Sequence, residues 1–305
     1  VKSGFVTFVG RPNVGKSTLV NRILSRKVSI VSDKPQTTRT QVRGVLTRRA
    51  PDNPAELTSQ LVFVDTPGIH KPRSALGSRL NASAREALSG VDVVCFVVDA
   101  TAPIGRGDQF VAATLQKNAI CVLNKCDIAD RQQIATQLTK AAGWEFSEYF
   151  PVSARTGKGV FELVDRLIEM MPEGPAYYPD NAVTDVPEAF WVAELVREQL
   201  LAITRDELPH SIATRVVEWS WPRIRCEILV EHDSQKGIVI GHGGAVLKAV
   251  GTKVREQLEP GAFLELHVKV EKNWQRRPQA IERLGYGSAP GSGEGDFDNE
   301  VGIDA

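Results

Sequence analysis

The sequence is short of everything that would mark a secreted, membrane-spanning or metal-rich protein. Its four cysteines, Cys95, Cys121, Cys126 and Cys226, form no CxxC pair. Cys95 and Cys121 stand inside apolar runs, so free buried thiols in a reducing compartment are expected rather than a disulfide framework or a zinc site. No apolar run approaches the roughly 18 residues that a membrane helix needs, and the chain, which begins at Val1, opens without a signal-peptide core. Net charge is missing too: Lys+Arg and Asp+Glu both total 37 in 305 residues, so overall charge predicts no polyanionic partner. These absences lead to the expectation of a cytoplasmic protein, long enough for two domains.

The charge balance conceals a gradient. Residues 288–305 carry Glu294, Asp296, Asp298, Glu300 and Asp304 with no Lys or Arg, a Gly- and Ser-rich composition read as disordered. From Lys236 to Gly287, nine basic side chains stand against five acidic ones.

What is present begins with Gly10-Arg11-Pro12-Asn13-Val14-Gly15-Lys16-Ser17. The apolar run Phe5 to Val9 before it reads as a buried strand, and Thr18 to Leu24 after it as the start of a helix. Strand, glycine loop and helix start is the context that makes GxxxxGK[ST] a phosphate-binding loop. Gly10 and Gly15 let backbone N–H groups converge on one anion, and the helix start adds the positive end of its dipole. The residues expected around the phosphates are Gly10, Asn13, Val14, Gly15, Lys16, Ser17 and Thr18, with Lys16 at the β/γ-phosphates and the Ser17 hydroxyl on Mg²⁺. Lys34 to Thr40 shows no periodicity and reads as a loop. Thr38, with Thr37 as the alternative, is expected to give Mg²⁺ a second hydroxyl when γ-phosphate is present.

Two strand-like segments, Val42 to Arg48 and Leu61 to Val64, flank a turn at Ala50 to Pro54. The second ends in Asp65-Thr66-Pro67-Gly68. Asp65 at a strand end is placed to orient Mg²⁺ through water, and the Gly68 amide can approach γ-phosphate because no side chain intervenes. After the apolar run Val91 to Val98, Ile120 to Leu123 ends in Asn124-Lys125-Cys126-Asp127, which selects the base. The Asp127 carboxylate accepts from the N1–H and exocyclic amine of guanine, whereas adenine offers neither arrangement. Asn124 is expected at the guanine edge, the Lys125 stem over the ring, and the Ser153-Ala154 loop above the base. Alternating strands and helices, closed by Val160 to Met171, predict an α/β domain over residues 1–172: a mostly parallel sheet with helices on both faces and its ligand at the strands' C-terminal edge.

A Pro- and Asp-rich stretch, 173–186, reads as a linker. Beyond it, Val192, Leu195, Val196, Leu200 and Ile203 recur at helical spacing with Glu194, Arg197 and Glu198 between them, giving a helix with one buried face. Strands follow at Ile212 to Trp219 and Ile224 to His232, joined by Ser220-Trp221-Pro222. Trp219 and Trp221 are read as structural. Gly241-His242-Gly243-Gly244 then precedes a helix from Ala245 to Leu258 and a strand from Phe263 to Glu271. The order α-β-β-α-α-β, with GxxG between the later helices, resembles an α+β KH domain of the second type over 187–287. Such a loop presses side-chain-free backbone and a helix start against a sugar-phosphate chain. Gly241, His242, Gly243, Gly244, Lys236 and Lys248 are the candidate RNA contacts. KH loops usually hold Lys or Arg in the middle; His242 and Gly243 here leave the loop uncharged at neutral pH.

Taken together, GRPNVGKS, PQTTR, NKCD, the Ser153-Ala154 pair and the run from Asp65 through His70-Lys71-Pro72 to Leu76-Gly77 and Leu80-Asn81 resemble the Era family of GTPases. The segment from Asn273-Trp274 to Tyr286 is similar to that family's C-terminus, so the resemblance covers residues 4–287. It implies a GTP-binding and GTP-hydrolysing switch that binds the 3′ end of small-subunit ribosomal RNA and assists assembly of the small ribosomal subunit, as a monomer, with peripheral membrane contact in some members. Alternatives are an RNA-binding scaffold with a structural nucleotide site and a membrane-associated GTPase. Ras-like proteins place a Gln after the DxxG glycine to orient the attacking water. Ile69 stands there in this chain, so slow intrinsic turnover is expected. In related GTPases with Asn at the position of Asn13, that side chain helps hold K⁺ where an arginine finger would sit, and the same is expected here. Lys16, Thr38, Gly68 and Asn13 are thus the catalytic candidates.

Overall fold

A computed structural model describes residues 1–72, 74–204 and 208–287. The acidic segment 288–305 lies outside the described residues.

The first domain is a six-stranded sheet in the order β2-β3-β1-β4-β5-β6. Its strands are β1 (Lys2–Val9), β2 (Val42–Ala50), β3 (Asn53–Asp65), β4 (Val93–Asp99), β5 (Ile120–Asn124) and β6 (Glu148–Pro151), with helices α1 (Lys16–Leu24), α2 (Ala75–Glu86), α3 (Arg106–Ala112), α4 (Arg131–Ala142) and α5 (Val160–Met170) between and after them. All pairings are parallel except β2 with β3. The central strands are continuous apolar runs because both faces are covered. One core joins Val6, Phe8 and Phe63 to Leu19 of α1 and Leu163 of α5; the other joins Val9, Phe96 and Leu123 to Val111 of α3 and Ala141 of α4. β3 is longer than the sequence reading, since its polar first half pairs with β2 as an exposed hairpin that no apolar pattern announces. Burial pushes the Cys121 and Cys226 thiols up to about 12, which keeps them protonated and inert.

The stretch expected as a linker is a strap fastened across β2 and β3. Val45 N–H donates to Val183 O at 2.8 Å, Gln60 holds the backbone of Tyr177 and Tyr178, and Arg43 and Arg49 pair with Asp185 and Asp180.

In the second domain, α6 (Glu188–Ile203) and α7 (Leu208–Ser211) precede β7 (Ala213–Ser220), β8 (Arg223–Val230), α8 (Asp233–Ile240), α9 (Ala245–Arg255), β9 (Phe263–Val270) and α10 (Pro278–Arg283). Its sheet runs β7-β8-β9, antiparallel then parallel. Trp219 packs on this core, whereas Trp221 is exposed. The sequence reading gave α6 one buried face; the structure buries both. Val192, Leu195, Val196 and Leu200 face their own sheet, and Glu194, Arg197 and Glu198 are buried against the first domain. A fourth apolar cluster crosses the domains, joining Leu76 and Leu80 of α2 to Leu229, Trp274, Ile281 and Tyr286. No helix among the described residues is long and apolar enough to cross a membrane.

Candidate active site

The phosphate loop runs from the end of β1 into α1. Gly15 caps the helix in the left-handed region (φ 97°), where a Cβ would stand 2.3 Å from Asn124 Nδ2. Only glycine meets both demands. Lys16 is buried, with Nζ donating to Gly10 O at 3.2 Å and Arg11 O at 3.1 Å. Burial lowers its pKa to about 8, partly countered by the nearby Asp65 carboxylate. The loop therefore holds a cation that is only moderately basic, at the place where an anion would restore its charge.

Around this lysine the structure gathers one cavity, lined among others by Asn13, Ser17, Thr18, Gln36, Thr38 and Gly68. Ser17 Oγ and Thr38 Oγ1 lie 2.9 Å apart, while Thr37 turns away and donates to Lys34 O at 2.7 Å. The geometry thus selects Thr38 of the two candidates. Asp65 is fully buried and neither carboxylate oxygen is hydrogen-bonded to a described residue; burial raises its pKa, while the nearby Ser17 hydroxyl and the Lys16 charge oppose the rise. Two hydroxyls and an orphaned carboxylate are hard oxygen donors that fit Mg²⁺. Ser17 and Thr38 would hold the ion, Asp65 would orient its waters, and the ion would neutralise phosphate charge.

Gly68 lies against Pro12: a Cβ there would approach Pro12 N to 2.7 Å. Ile69, next in the chain, is buried in the core with its N–H on Gly10 O, so it is withdrawn from the cavity as well as apolar. Asn13 holds a left-handed conformation (φ 65°) and its Nδ2 donates to Asp33 O at 2.6 Å.

A second cavity, sharing Gly15 and Thr18 with the first, is lined by Asn124, Lys125, Asp127, Ile128, Ala154 and Arg155. Asp127 accepts from Ser153 Oγ at 2.8 Å, which, with Arg155 beside it, holds its carboxyl below the usual range. Arg155 Nη2 lies 2.6 Å from Asp127 Oδ2, a close ionic contact without hydrogen-bond alignment. Lys125 pairs with Asp99 at 2.6 Å, which fixes its stem along the cavity wall. Asn124 departs from the expectation of a base contact alone. Its Nδ2 donates to Val14 O and its Oδ1 accepts from the Ala154 N–H, both at 2.9 Å. It ties phosphate loop to base loop, leaving one N–H for a base. Val14 contributes that carbonyl, and its side chain is core.

Sequence reasoning missed what stands behind the Thr38 loop. Arg39 is fully buried and donates to Ile212 O at 2.6 Å and His210 O at 3.0 Å, with Trp274 and Tyr286 stacked on its guanidinium at 5.6 and 5.2 Å. Thr40 donates to Gly285 O, Arg197 to Thr37 O, and Glu198 accepts from Val31 N–H. The loop that would sense γ-phosphate is threaded into the second domain. The only trace in the sequence is the cluster Glu194, Arg197 and Glu198 on one helix.

At the GxxG turn, Gly241, Gly243 and Gly244 all have positive φ (73°, 57° and 79°). A Cβ on Gly241 would strike Val246, but none of the described atoms lies near Gly243 or Gly244. The turn is an open backbone surface at the start of α9, with exposed His242 and Ile238 beside it, Lys248 exposed and Lys236 half-buried.

Comparisons with known proteins agree with this anatomy. The family profile described as "50S ribosome-binding GTPase" matches residues 5–125, and a KH-domain profile matches 207–275. A variant of Aquifex aeolicus Era, solved with GDP and AlF4⁻, is 36% identical, covers 94% of this chain and 99% of its own, and superposes with a TM-score of 0.86. Era solved with MgGDPNP and nucleotides 1506–1542 of 16S ribosomal RNA gives the same identity, coverage and TM-score. A phosphate loop, a second cavity holding the Asp127 carboxylate and a KH-type second domain, in a chain alike over nearly its whole length, place this protein in the Era family of GTPases.

Proposed function

We propose that this GTPase is a switch on RNA: its second domain binds the 3′ end of small-subunit ribosomal RNA, and GTP and GDP set the strength of that grip during assembly of the small ribosomal subunit. The observation that carries the reading is the relative solved with nucleotides 1506–1542 of 16S ribosomal RNA, because the likeness runs through both domains. The "50S" profile spans only the first domain, so the full-length relative is the better guide to the RNA. The buried contacts of Arg39, Thr40 and Arg197 give the switch a route, since a change in the Thr38 loop moves groups packed in the second domain.

In this reading Lys16 binds the β/γ-phosphates, Ser17 and Thr38 hold Mg²⁺, and the Gly68 amide meets γ-phosphate. Asn13 joins the Asp33 carbonyl around K⁺, its amide turning Oδ1 toward the ion. Asp127 reads guanine, and the backbone of Gly241 to Gly244, with His242, Lys236 and Lys248, meets the RNA chain. RNA crosslinking with GTP, GDP and no nucleotide tests the switch: occupancy should be highest with GTP, and equal occupancy in all three would sink it. Turnover in potassium and sodium buffers tests Asn13; equal rates exclude a potassium role.

A further inference from the structure

Ile69 leaves open which group orients the attacking water. The residues lining the phosphate cavity narrow the choice. Thr37 spends its hydroxyl on Lys34 O, Thr38 meets Ser17, and Lys16 has only donors. Gln36 is different. It sits at φ 61°, a left-handed conformation that is unfavourable for a residue with a Cβ, and it lines the cavity together with Gly68 and Thr38. Strain of this kind persists where the surroundings enforce it, and here they do: Gln36 Nε2 lies 2.8 Å from His70 Nε2.

The proton inventory of the pair fixes its polarity. His70 Nδ1 lies 3.0 Å from Gly68 O. A carbonyl only accepts, so Nδ1 carries the hydrogen, and in a neutral ring Nε2 is then the acceptor. The Gln36 amide donates to it through Nε2. Its Oε1 makes no hydrogen bond to a described residue and keeps both lone pairs for a ligand. His70 is itself anchored by Asn81, which accepts from His70 N–H at 3.2 Å and donates to His70 O.

We infer that Gln36 supplies the acceptor that orients the attacking water, and that His70 is the positioning residue that holds Gln36. The inference rests on GTP hydrolysis at this site. In that step the water oxygen bonds to the γ-phosphorus, and the bond from that phosphorus to the bridging oxygen breaks with its electron pair remaining on GDP. The water's proton passes to a γ-phosphate oxygen. The Gln36 carbonyl accepts a hydrogen bond without taking the proton, which an amide is too weak a base to hold. Gln36 belongs to the Thr38 loop and His70 follows Gly68, so the acceptor is assembled only when both loops close on the cavity.

Single-turnover hydrolysis with Mg²⁺ in potassium buffer tests this, alongside affinities for GDPNP and for GDP with AlF4⁻. Gln36→Ala should lower the saturated rate about 10- to 100-fold, weaken the AlF4⁻ complex, and leave GDPNP affinity within about twofold. His70→Ala should lose less. The double variant should lose no more than Gln36→Ala alone, and His70→Gln, which keeps an acceptor, should recover most of the rate. If Gln36 merely braces its loop, GDPNP affinity falls while the saturated rate stands, and the inference is overturned. It is also overturned if Gln36→Ala retains the rate within about twofold, or if the two losses multiply in the double variant. Absence of hydrolysis by the wild-type protein would instead refute the GTPase reading.

Discussion

Replacing Arg39 with Ala removes a fully buried link between the Thr38 loop and the second domain. The guanidinium donates at 2.6 Å and 3.0 Å to carbonyls of 212 and 210, and more weakly at 3.4 Å to that of 209. Charged hydrogen bonds are worth about 1.5–3 kcal/mol each, and buried stacking on Trp274 and Tyr286 adds about 2 kcal/mol. Offsetting this, burial disfavours the charge enough to depress the Arg39 pKa, and its Nε has no partner among the described residues. The net loss should be about 3–5 kcal/mol, as for other broken buried polar contacts, or at least a hundredfold in the docking equilibrium. The loss should fall on domain docking, because the partners of the guanidinium, Ile212, His210, Trp274 and Tyr286, all belong to the second domain. In urea denaturation the wild-type protein should unfold with the two domains coupled. Arg39→Ala should separate the transitions, lowering that of the second domain while GDP affinity stays within about threefold. A single transition shifted by less than about 1 kcal/mol would refute the claim that Arg39 carries the docking.

Asp127→Asn should exchange guanine preference for xanthine, whose 2-oxo group accepts from the new amide; a competition assay that still prefers GDP over XDP would exclude Asp127 as the base reader. Lys16, at about 8 in the unliganded protein, should bind a proton when phosphates arrive, so GDP affinity falls as pH rises above 8. Calorimetry in two buffers above pH 8 should show proton uptake on GDP binding, and zero uptake contradicts the burial argument. The same depressed pKa means that the unliganded protein gains stability as pH climbs from about 8 toward 10.5, since there the unfolded chain binds more protons. Gly243→Asp meets no described neighbour, and Asp tolerates the left-handed φ of 57° there. It should lower RNA affinity about tenfold or more by charge repulsion and leave GTP hydrolysis intact; unchanged RNA binding would remove the GxxG turn from the interface.

What the sequence could tell was whatever a short stretch decides by itself. The loop from Gly10 to Ser17, the strand-end positions of Asp65 and Asp127, and the turn at Gly241 each combine residue type and local pattern, and the structure places them where the pattern implies. The polar half of β3 was illegible because an exposed hairpin carries no apolar period. The second task of Asn124, tying the phosphate loop to the base loop, was illegible because its partners, Val14 and Ala154, are far from it in the chain. Charge at Glu194, Arg197 and Glu198 read as a wet helix face, although its solvent is the loop around Thr37, some 160 residues earlier. Burial of charge against a distant segment has no local signature.

The strap from residue 173 to 186 sets what can happen once that buried seam opens. Its last anchors are Thr184 on Arg43 O and Asp185 on the Arg43 side chain, and α6 starts at Glu188. Only a residue or two of chain is then free, so the second domain cannot drift off; it can only pivot about Pro187. So short a tether keeps the undocked domain at an effective concentration of millimolar order. A released domain would therefore turn about a fixed fulcrum beside its own seat.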